Sequence, residues 1–148
     1  MLTTALQSSN CYIITSEMNR SVLFLCPYGG AKSVMAMAYF NRLAEARALP
    51  YTGVAAAAEE PYEAVPEPVV ASLRREGIDV HAFRPRRVAD DDIAQAARVI
   101  SIGCEEDVER SDVERWDDVP KVSEDLEGAA AAIRRHVEAL VAELDGER

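Results

Sequence analysis

Residues 21–43 read SVLFLCPYGGAKSVMAMAYFNRL, and this stretch predicts a strand, a tight loop and the first turns of a helix. Residues 22–25 are wholly apolar, which is typical of a strand buried on both faces of a parallel sheet. Gly29 and Gly30 in the loop permit positive φ and a close approach of the backbone. From Ser33 onward, apolar residues recur at helical intervals. The stretch therefore predicts an anion site, because unpaired amides and the helix dipole meet at a helix N-terminus.

A cysteine and a lysine flank the loop. Cys26 ends the predicted strand, and Lys32 stands immediately before the predicted helix. We expect Cys26 to be partly thiolate, because the helix dipole and a neighbouring cation both favour the charged form of a thiol. Ser33 is expected to donate a hydrogen bond that keeps the thiolate ionised. The oxyanion-binding groups predicted in front of this nucleophile belong to five loop residues, Tyr28, Gly29, Gly30, Ala31 and Lys32.

This arrangement of a buried strand, Cys26, five residues, a cation and Ser33 resembles the start of the low-molecular-weight protein tyrosine phosphatase superfamily, which also contains the thioredoxin-coupled arsenate reductases. The signature of that superfamily is C-x5-R-S. This chain departs from it, because Lys32 stands where the arginine belongs. A lysine supplies charge, but it lacks the planar, two-pronged contact that an arginine makes with a tetrahedral oxyanion. The chain is identified as a divergent member of the superfamily.

The remainder of the chain alternates between strand and helix patterns. Further strands are predicted at residues 51–54, 98–103 and 113–116, with two helices between the first and second of these and a long helix at the C-terminus. Asp90 and Ser123 are predicted to cap the last two helices. Such alternation implies an α/β fold, with a single domain whose four-stranded parallel sheet is covered by helices on both faces.

Residues 1–20 precede this domain, which we assign to residues 21–148. We interpret them as an N-terminal extension that is a flexible arm, an added edge strand or the product of an upstream start codon, and residues 11–15 have the β-branched and aromatic composition of a strand. Cys11 within this extension is expected to take no part in the chemistry.

Composition and charge argue against several classes of function. The formal net charge is −10 at pH 7, which argues against nucleic acid or an anionic membrane as a general partner. No apolar run approaches the length of a membrane span, and we expect no signal peptide. Three cysteines are too few for a disulfide framework and fit a reducing compartment, so we predict a cytoplasmic protein. His81 and His136 lack partners at ligand spacing, and we predict no metal site and no cofactor.

Further positions gain a predicted role from the resemblance. Cys104 follows the predicted strand at residues 98–103 in a Gly-Cys pair, and in the arsenate reductases the equivalent cysteine attacks the arsenylated nucleophile. A buried cysteine that closes a strand explains the same pattern, and both interpretations stay open. Asp117 and Asp118 resemble the phosphatase loop whose aspartate protonates the leaving group, and their spacing does not choose between them. Because these residues and Cys26 all follow predicted strands, we expect them at one edge of the sheet.

The combined pattern favours an enzyme that resembles the arsenate reductases, in which the Cys26 thiolate attacks arsenate. Its partners would be an arsenate- or phosphate-type oxyanion and a reducing thiol, either thioredoxin or a low-molecular-weight compound. One alternative is a low-molecular-weight phosphatase that acts through a phosphocysteine. Another is a pseudoenzyme that binds the oxyanion without turnover, since Lys32 replaces the arginine.

Overall fold

The computed structural model describes residues 19–105 and 108–147. Its strands and helices follow one another in the predicted order, which is β1 (Arg20–Cys26), α1 (Lys32–Ala46), β2 (Tyr51–Ala57), α2 (Glu67–Arg74), α3 (Asp90–Gln95), β3 (Arg98–Ile102), β4 (Glu114–Trp116) and α4 (Leu126–Gly146). The predicted edge strand at residues 11–15 lies outside the described residues, so the interpretation of the N-terminal extension stays a prediction. No helix in the described part of the chain is long and apolar enough to cross a membrane.

The four strands form one parallel sheet in the order β2–β1–β3–β4. Phe24 at the centre of β1 pairs with Ala55 of β2 on one side and with Ile100 of β3 on the other. β1 is thus an interior strand, which explains why residues 22–25 carry no polar side chain. The predicted α/β fold with a four-stranded parallel sheet is confirmed.

Side chains of β1 alternate between two hydrophobic cores, one on each face of the sheet. Val22, Phe24 and Cys26 belong to the larger core, which also contains residues of α1, α2 and α4. Leu23 and Leu25 belong to a smaller core, against which α3 packs. Burial of one such aliphatic or aromatic side chain contributes about 1.5–3 kcal/mol, so the apolar run of β1 stabilises both layers of helices.

The start of α3 differs from the prediction, because Asp90 is not its cap. The N-cap is Ala89, whose amide donates a 2.8 Å hydrogen bond to the carboxylate of Asp92 in the first turn. That carboxylate also accepts a 2.7 Å hydrogen bond from the Arg86 guanidinium. Asp92 rather than Asp90 therefore anchors the start of the helix.

The start of α4 also differs, because Ser123 is not its cap. Asp125 takes this position and accepts a hydrogen bond from the Gly128 amide at 2.9 Å. Ser123 lies instead in a turn, in which the Lys121 carbonyl accepts hydrogen bonds from two later amides. This turn lies at the carboxyl edge of the sheet.

The loop after β1 is fixed along its length by the segment between β2 and α2. Three backbone hydrogen bonds link the two segments, and in each of them an amide of the segment after β2 donates to a carbonyl of the loop. Ala58 donates to Cys26 at 3.0 Å, Glu59 donates to Pro27 at 2.8 Å, and Tyr62 donates to Tyr28 at 3.1 Å. These bonds use polar backbone groups that would otherwise be left without partners at the edge of the sheet. They bring the ends of β1 and β2 together at the place where a ligand of an open parallel sheet binds.

Candidate active site

The loop between β1 and α1, residues 27–31, closes against the end of β2. Gly29 has φ = +64°, and a Cβ at this position would lie 2.7 Å from the Ala57 amide nitrogen. A Cβ at Gly30 would lie 2.7 Å from the ring of Tyr62. Gly29 tolerates the positive φ as well as the close approach, and Gly30 the close approach alone, so the two residues permit a compact loop that ends at the N-terminus of α1.

Cys26 lies at the start of this loop with its thiol against the first turn of α1. Its Sγ accepts a hydrogen bond from the Ser33 amide at 3.4 Å and is 3.1 Å from the Ser33 hydroxyl oxygen. The thiol donates to that hydroxyl, and a thiolate in the same place would accept from it. An amide donor at a helix N-terminus stabilises negative charge on sulfur, and the thiolate is the nucleophilic form.

Lys32 extends from the loop towards the ends of β3 and β4. Its Nζ donates a 3.3 Å hydrogen bond to the Val119 carbonyl. Gly103, with φ = +73°, leaves the space for this ammonium group, since a Cβ there would lie 2.9 Å from Nζ. The lysine therefore bridges the loops that follow three strands of the sheet.

An open cavity of about 800 Å³ lies over the thiol. Of the residues predicted for this site, Cys26, Tyr28, Ala31 and Lys32 line it. The other residues predicted in and beside the loop, Gly29, Gly30 and Ser33, are buried and do not line the cavity. The remaining walls of the cavity come from the segments that follow β2, β3 and β4.

The structure places Asp117 and Asp118 outside the cavity. The Asp117 carboxylate forms an ion pair with Arg115, in which Oδ2 and Nε are 3.1 Å apart. The Asp118 carboxylate is 2.7 Å from Nε2 of His136, and this hydrogen bond lowers the pKa of Asp118. A general acid must reach the leaving group and hold its proton near neutral pH. The lowered pKa of Asp118 opposes the second condition, and the role of either aspartate as the proton donor stays a prediction.

Cys104 belongs to the core on the other face of the sheet from Cys26. It packs with Leu25 and Val99 in the smaller core, and 3% of its surface is exposed. Burial raises the pKa of the Cys104 thiol, and the charge of Cys26 adds to this effect. A charge on Cys26 therefore acts on the Cys104 thiol, although the two side chains pack into the cores on opposite faces of the sheet.

Tyr62 and Lys121 also line the cavity, and neither was predicted from the sequence. The ring centroids of Tyr62 and Tyr28 are 5.1 Å apart at the rim. A single aromatic residue in a loop gives no sequence signal for such a contact. Lys121 did have a signal, because Lys32 and Lys121 are the only lysines in the chain.

Comparison with known proteins adds an independent observation to this geometry. The model of the family described as low molecular weight phosphotyrosine protein phosphatase matches residues 21–124. The chain belongs to this family. The resemblance stated from the sequence is therefore confirmed at the level of the superfamily. No curated protein sequence matches the chain significantly.

The solved structures that share this fold include both arsenate reductases and protein tyrosine phosphatases. An arsenate reductase from Archaeoglobus fulgidus DSM 4304 is 30% identical, with a TM-score of 0.65, and the match covers 82% of this chain and 98% of that one. A low molecular weight protein tyrosine phosphatase from T. tengcongensis is 19% identical, with a TM-score of 0.73 and coverage of 84% and 99%. An arsenate reductase in a phosphate-binding state is 19% identical, with a TM-score of 0.71 and coverage of 84% and 98%. The fold by itself therefore does not choose between reduction and hydrolysis.

Replacement of Gly29 by alanine is expected to distort the loop. The new Cβ would overlap the Ala57 backbone at an unfavourable positive φ, so the free energy of unfolding should fall by more than about 2 kcal/mol. Gly77→Ala is the matched control, because Gly77 has φ = +83° and no atom within 4 Å of a new Cβ. This control should cost only about 1 kcal/mol. Chemical denaturation measures both losses, and equal values would contradict the close packing at Gly29.

Cys26 should react with an alkylating reagent before both Cys104 and Cys11 at neutral pH. Cys26 and Cys104 are both only 3% exposed, but Cys26 lines the cavity, whereas burial in the smaller core raises the pKa of Cys104. Iodoacetamide labelling at several pH values, followed by peptide mass spectrometry, measures the rate at each thiol. The fast phase should persist in Cys104→Ser and disappear in Cys26→Ser. The reverse pattern would show that Cys26 is not the reactive thiol.

Proposed function

We propose that the protein is a thiol-dependent, arsenate-reductase-like enzyme in which Cys26 is the nucleophile. The observation that carries this proposal is the position of the Cys26 Sγ. It accepts a hydrogen bond from the Ser33 amide and faces a cavity that Lys32 also lines. A cation and the loop amides favour a tetrahedral oxyanion in front of the thiol. Arsenate and phosphate both have this shape and charge.

The surroundings of the cavity favour arsenate over a phosphate ester. An ester releases an alkoxide or phenolate that needs a proton donor, and the carboxylates of Asp117 and Asp118 bind Arg115 and His136 instead. Arsenate carries its own acidic hydroxyl groups, so a hydroxide can leave as water after a proton moves within the substrate. Its reaction with a thiol therefore does not depend on an aspartic acid.

In the first step, the Cys26 thiolate attacks arsenic in line with the hydroxyl group that leaves. An S–As bond forms, an As–O bond breaks, and the departing hydroxide takes a proton from the arsenate to become water. Arsenic stays pentavalent in this step. Lys32 and the loop amides balance the negative charge on the remaining oxygens.

In the second step, another thiolate attacks the Sγ of Cys26. The electron pair of the S–As bond moves to arsenic, which leaves as trivalent arsenite, and the two sulfur atoms form a disulfide. Cys104 is one candidate for the attacking thiol, because it directly follows Gly103, which lines the cavity and lies against the Lys32 ammonium. A low-molecular-weight thiol or thioredoxin is the other candidate, and it would reach Cys26 through the open cavity. A further thiol then reduces the disulfide.

One contact favours the pseudoenzyme as a second candidate function. The Lys32 ammonium donates to the Val119 carbonyl at 3.3 Å, so part of its hydrogen-bonding capacity is used within the protein. A protein that binds an oxyanion without turnover would need no more than this arrangement. A phosphatase that acts through a phosphocysteine is the remaining alternative, and it would need a proton donor other than Asp117 and Asp118.

The proposal predicts arsenite formation from arsenate and little hydrolysis of an aryl phosphate. Purified protein is incubated with arsenate and either a thioredoxin system or a low-molecular-weight thiol, with phenyl phosphate as the parallel substrate, because its phenolate is a poor leaving group that needs a proton donor. Cys26→Ser should abolish arsenite formation and keep phosphate binding, because the loop amides remain. Hydrolysis without arsenite formation would favour the phosphatase. Phosphate binding without either activity would favour the pseudoenzyme.

If Cys104 is the attacking thiol, arsenate should produce a disulfide between Cys26 and Cys104. Their Cα atoms must lie within about 7 Å of each other for this bond, and Cys104 has to leave the smaller core. Non-reducing mass spectrometry after arsenate treatment detects the linked peptides, and Cys104→Ser should then stop turnover. Turnover that survives this substitution with a low-molecular-weight thiol would assign the second step to the external thiol.

A further inference from the structure

Lysine is rare in this chain and occurs only at the cavity. The chain has 16 lysine and arginine residues, of which only Lys32 and Lys121 are lysines. Both of them line the cavity over Cys26. Every other lysine or arginine position of the chain is an arginine, so the chain places both of its lysines at one cavity.

The Lys121 ammonium is available to a ligand in the cavity. The Lys121 carbonyl accepts hydrogen bonds of 3.0 and 2.9 Å from the amides of Glu124 and Asp125, and these bonds fix the turn of the backbone. Within residues 19–105 and 108–147, no side chain or carbonyl forms a hydrogen bond or an ion pair with this ammonium group. Its charge is therefore not used to hold the fold together.

Lys32 reaches the same segment from the loop after β1. Its Nζ binds the Val119 carbonyl at 3.3 Å, and Val119 precedes Lys121 by two residues. The bond to Val119 thus holds the Lys32 ammonium beside the segment that carries Lys121. The two lysines face the cavity from different segments at the same end of the sheet.

The other charged residues that line the cavity are carboxylates. Glu59, Glu105 and Glu124 contribute to its walls, and their negative potential opposes the entry of an oxyanion. Lys32 alone would face three carboxylates around the site. Lys121 offsets part of this negative potential at the place where an anion has to bind.

We propose that Lys121 is a second oxyanion-binding residue, which together with Lys32 forms a two-lysine clamp in place of the single arginine of the C-x5-R-S signature. A guanidinium offers two parallel donors from one planar group. Two ammonium groups from different segments offer separate donors to different oxygens of one tetrahedral anion. This inference rests on the proposed oxyanion site, and the ligand class is an arsenate- or phosphate-type oxyanion.

Inorganic phosphate is the probe for this clamp, because it binds without turnover. Isothermal titration calorimetry measures its affinity for the wild-type protein, Lys121→Gln, Lys121→Arg and the control Arg20→Gln. Arg20 is exposed and begins β1 at the opposite end of the strand from Cys26, so the control removes the same charge far from the cavity. Lys121→Gln should weaken phosphate binding about tenfold or more. Lys121→Arg should keep much of the affinity, and Arg20→Gln should leave it unchanged.

Equal phosphate affinity in the wild type and Lys121→Gln would overturn the clamp, whether or not the protein reduces arsenate. The clamp would also be overturned if Lys121→Gln kept this affinity and raised only the KM for the reducing thiol. Absence of phosphate binding by the wild-type protein would overturn it too. Weakened phosphate binding in Lys121→Gln, with no arsenite formed by the wild type, would support the clamp and refute the proposed reduction. Circular dichroism of each variant confirms its fold, which an exposed position such as Lys121 should not disturb.

Discussion

The close approach of the Gly29 backbone to the end of β2 is the contact on which the site depends. The space for a Cβ at Gly29 is already filled by Ala57, and the carbonyls of the loop are held by amides of the next segment. The loop therefore has little freedom once the parallel pairing of β1 and β2 has formed. The loop therefore places the start of α1 next to the end of β1, where the Ser33 amide donates a hydrogen bond to the Cys26 sulfur. The geometry around the thiol thus follows from the packing of the sheet.

A lysine at position 32, where the C-x5-R-S signature of the resemblance has an arginine, would limit what the loop can do by itself. A guanidinium at position 32 would bring a planar pair of donors to an oxyanion, whereas the Lys32 ammonium is a point charge on a flexible stem. That ammonium lies in the space left by Gly103 and bonds to the Val119 carbonyl. Its position therefore depends on the loops after β3 and β4 as well as on its own loop. The surroundings of the Lys32 ammonium are consequently shared among segments that are far apart in the sequence.

Local patterns predicted the parts of the structure that depend on local chemistry. The apolar run of β1 indicated an interior strand, and the strand–loop–helix spacing placed Cys26 beside the first turn of α1. The predicted cap of α4 was wrong, because Ser123 and Asp125 are both residue types that cap helices well. The turn between them places Asp125 at the cap position. The surroundings of Asp118 could not be predicted, since its partner His136 is 18 residues away along the chain. Polar residues in irregular segments take their contacts from tertiary structure, which periodicity does not encode.

The segment between β4 and α4 illustrates this dependence on tertiary contacts. At its start, Asp118 bonds to His136, whose ring stacks on Trp116 with centroids 4.6 Å apart. At its end, Asp125 caps α4. Because both ends are anchored, the turn that carries Lys121 is held at the cavity. A carboxylate that the resemblance implies as a proton donor is thus bound to a helix, and the segment supplies a cation to the cavity instead. Three glutamates also line the cavity, so the Lys121 ammonium offsets part of their negative potential there.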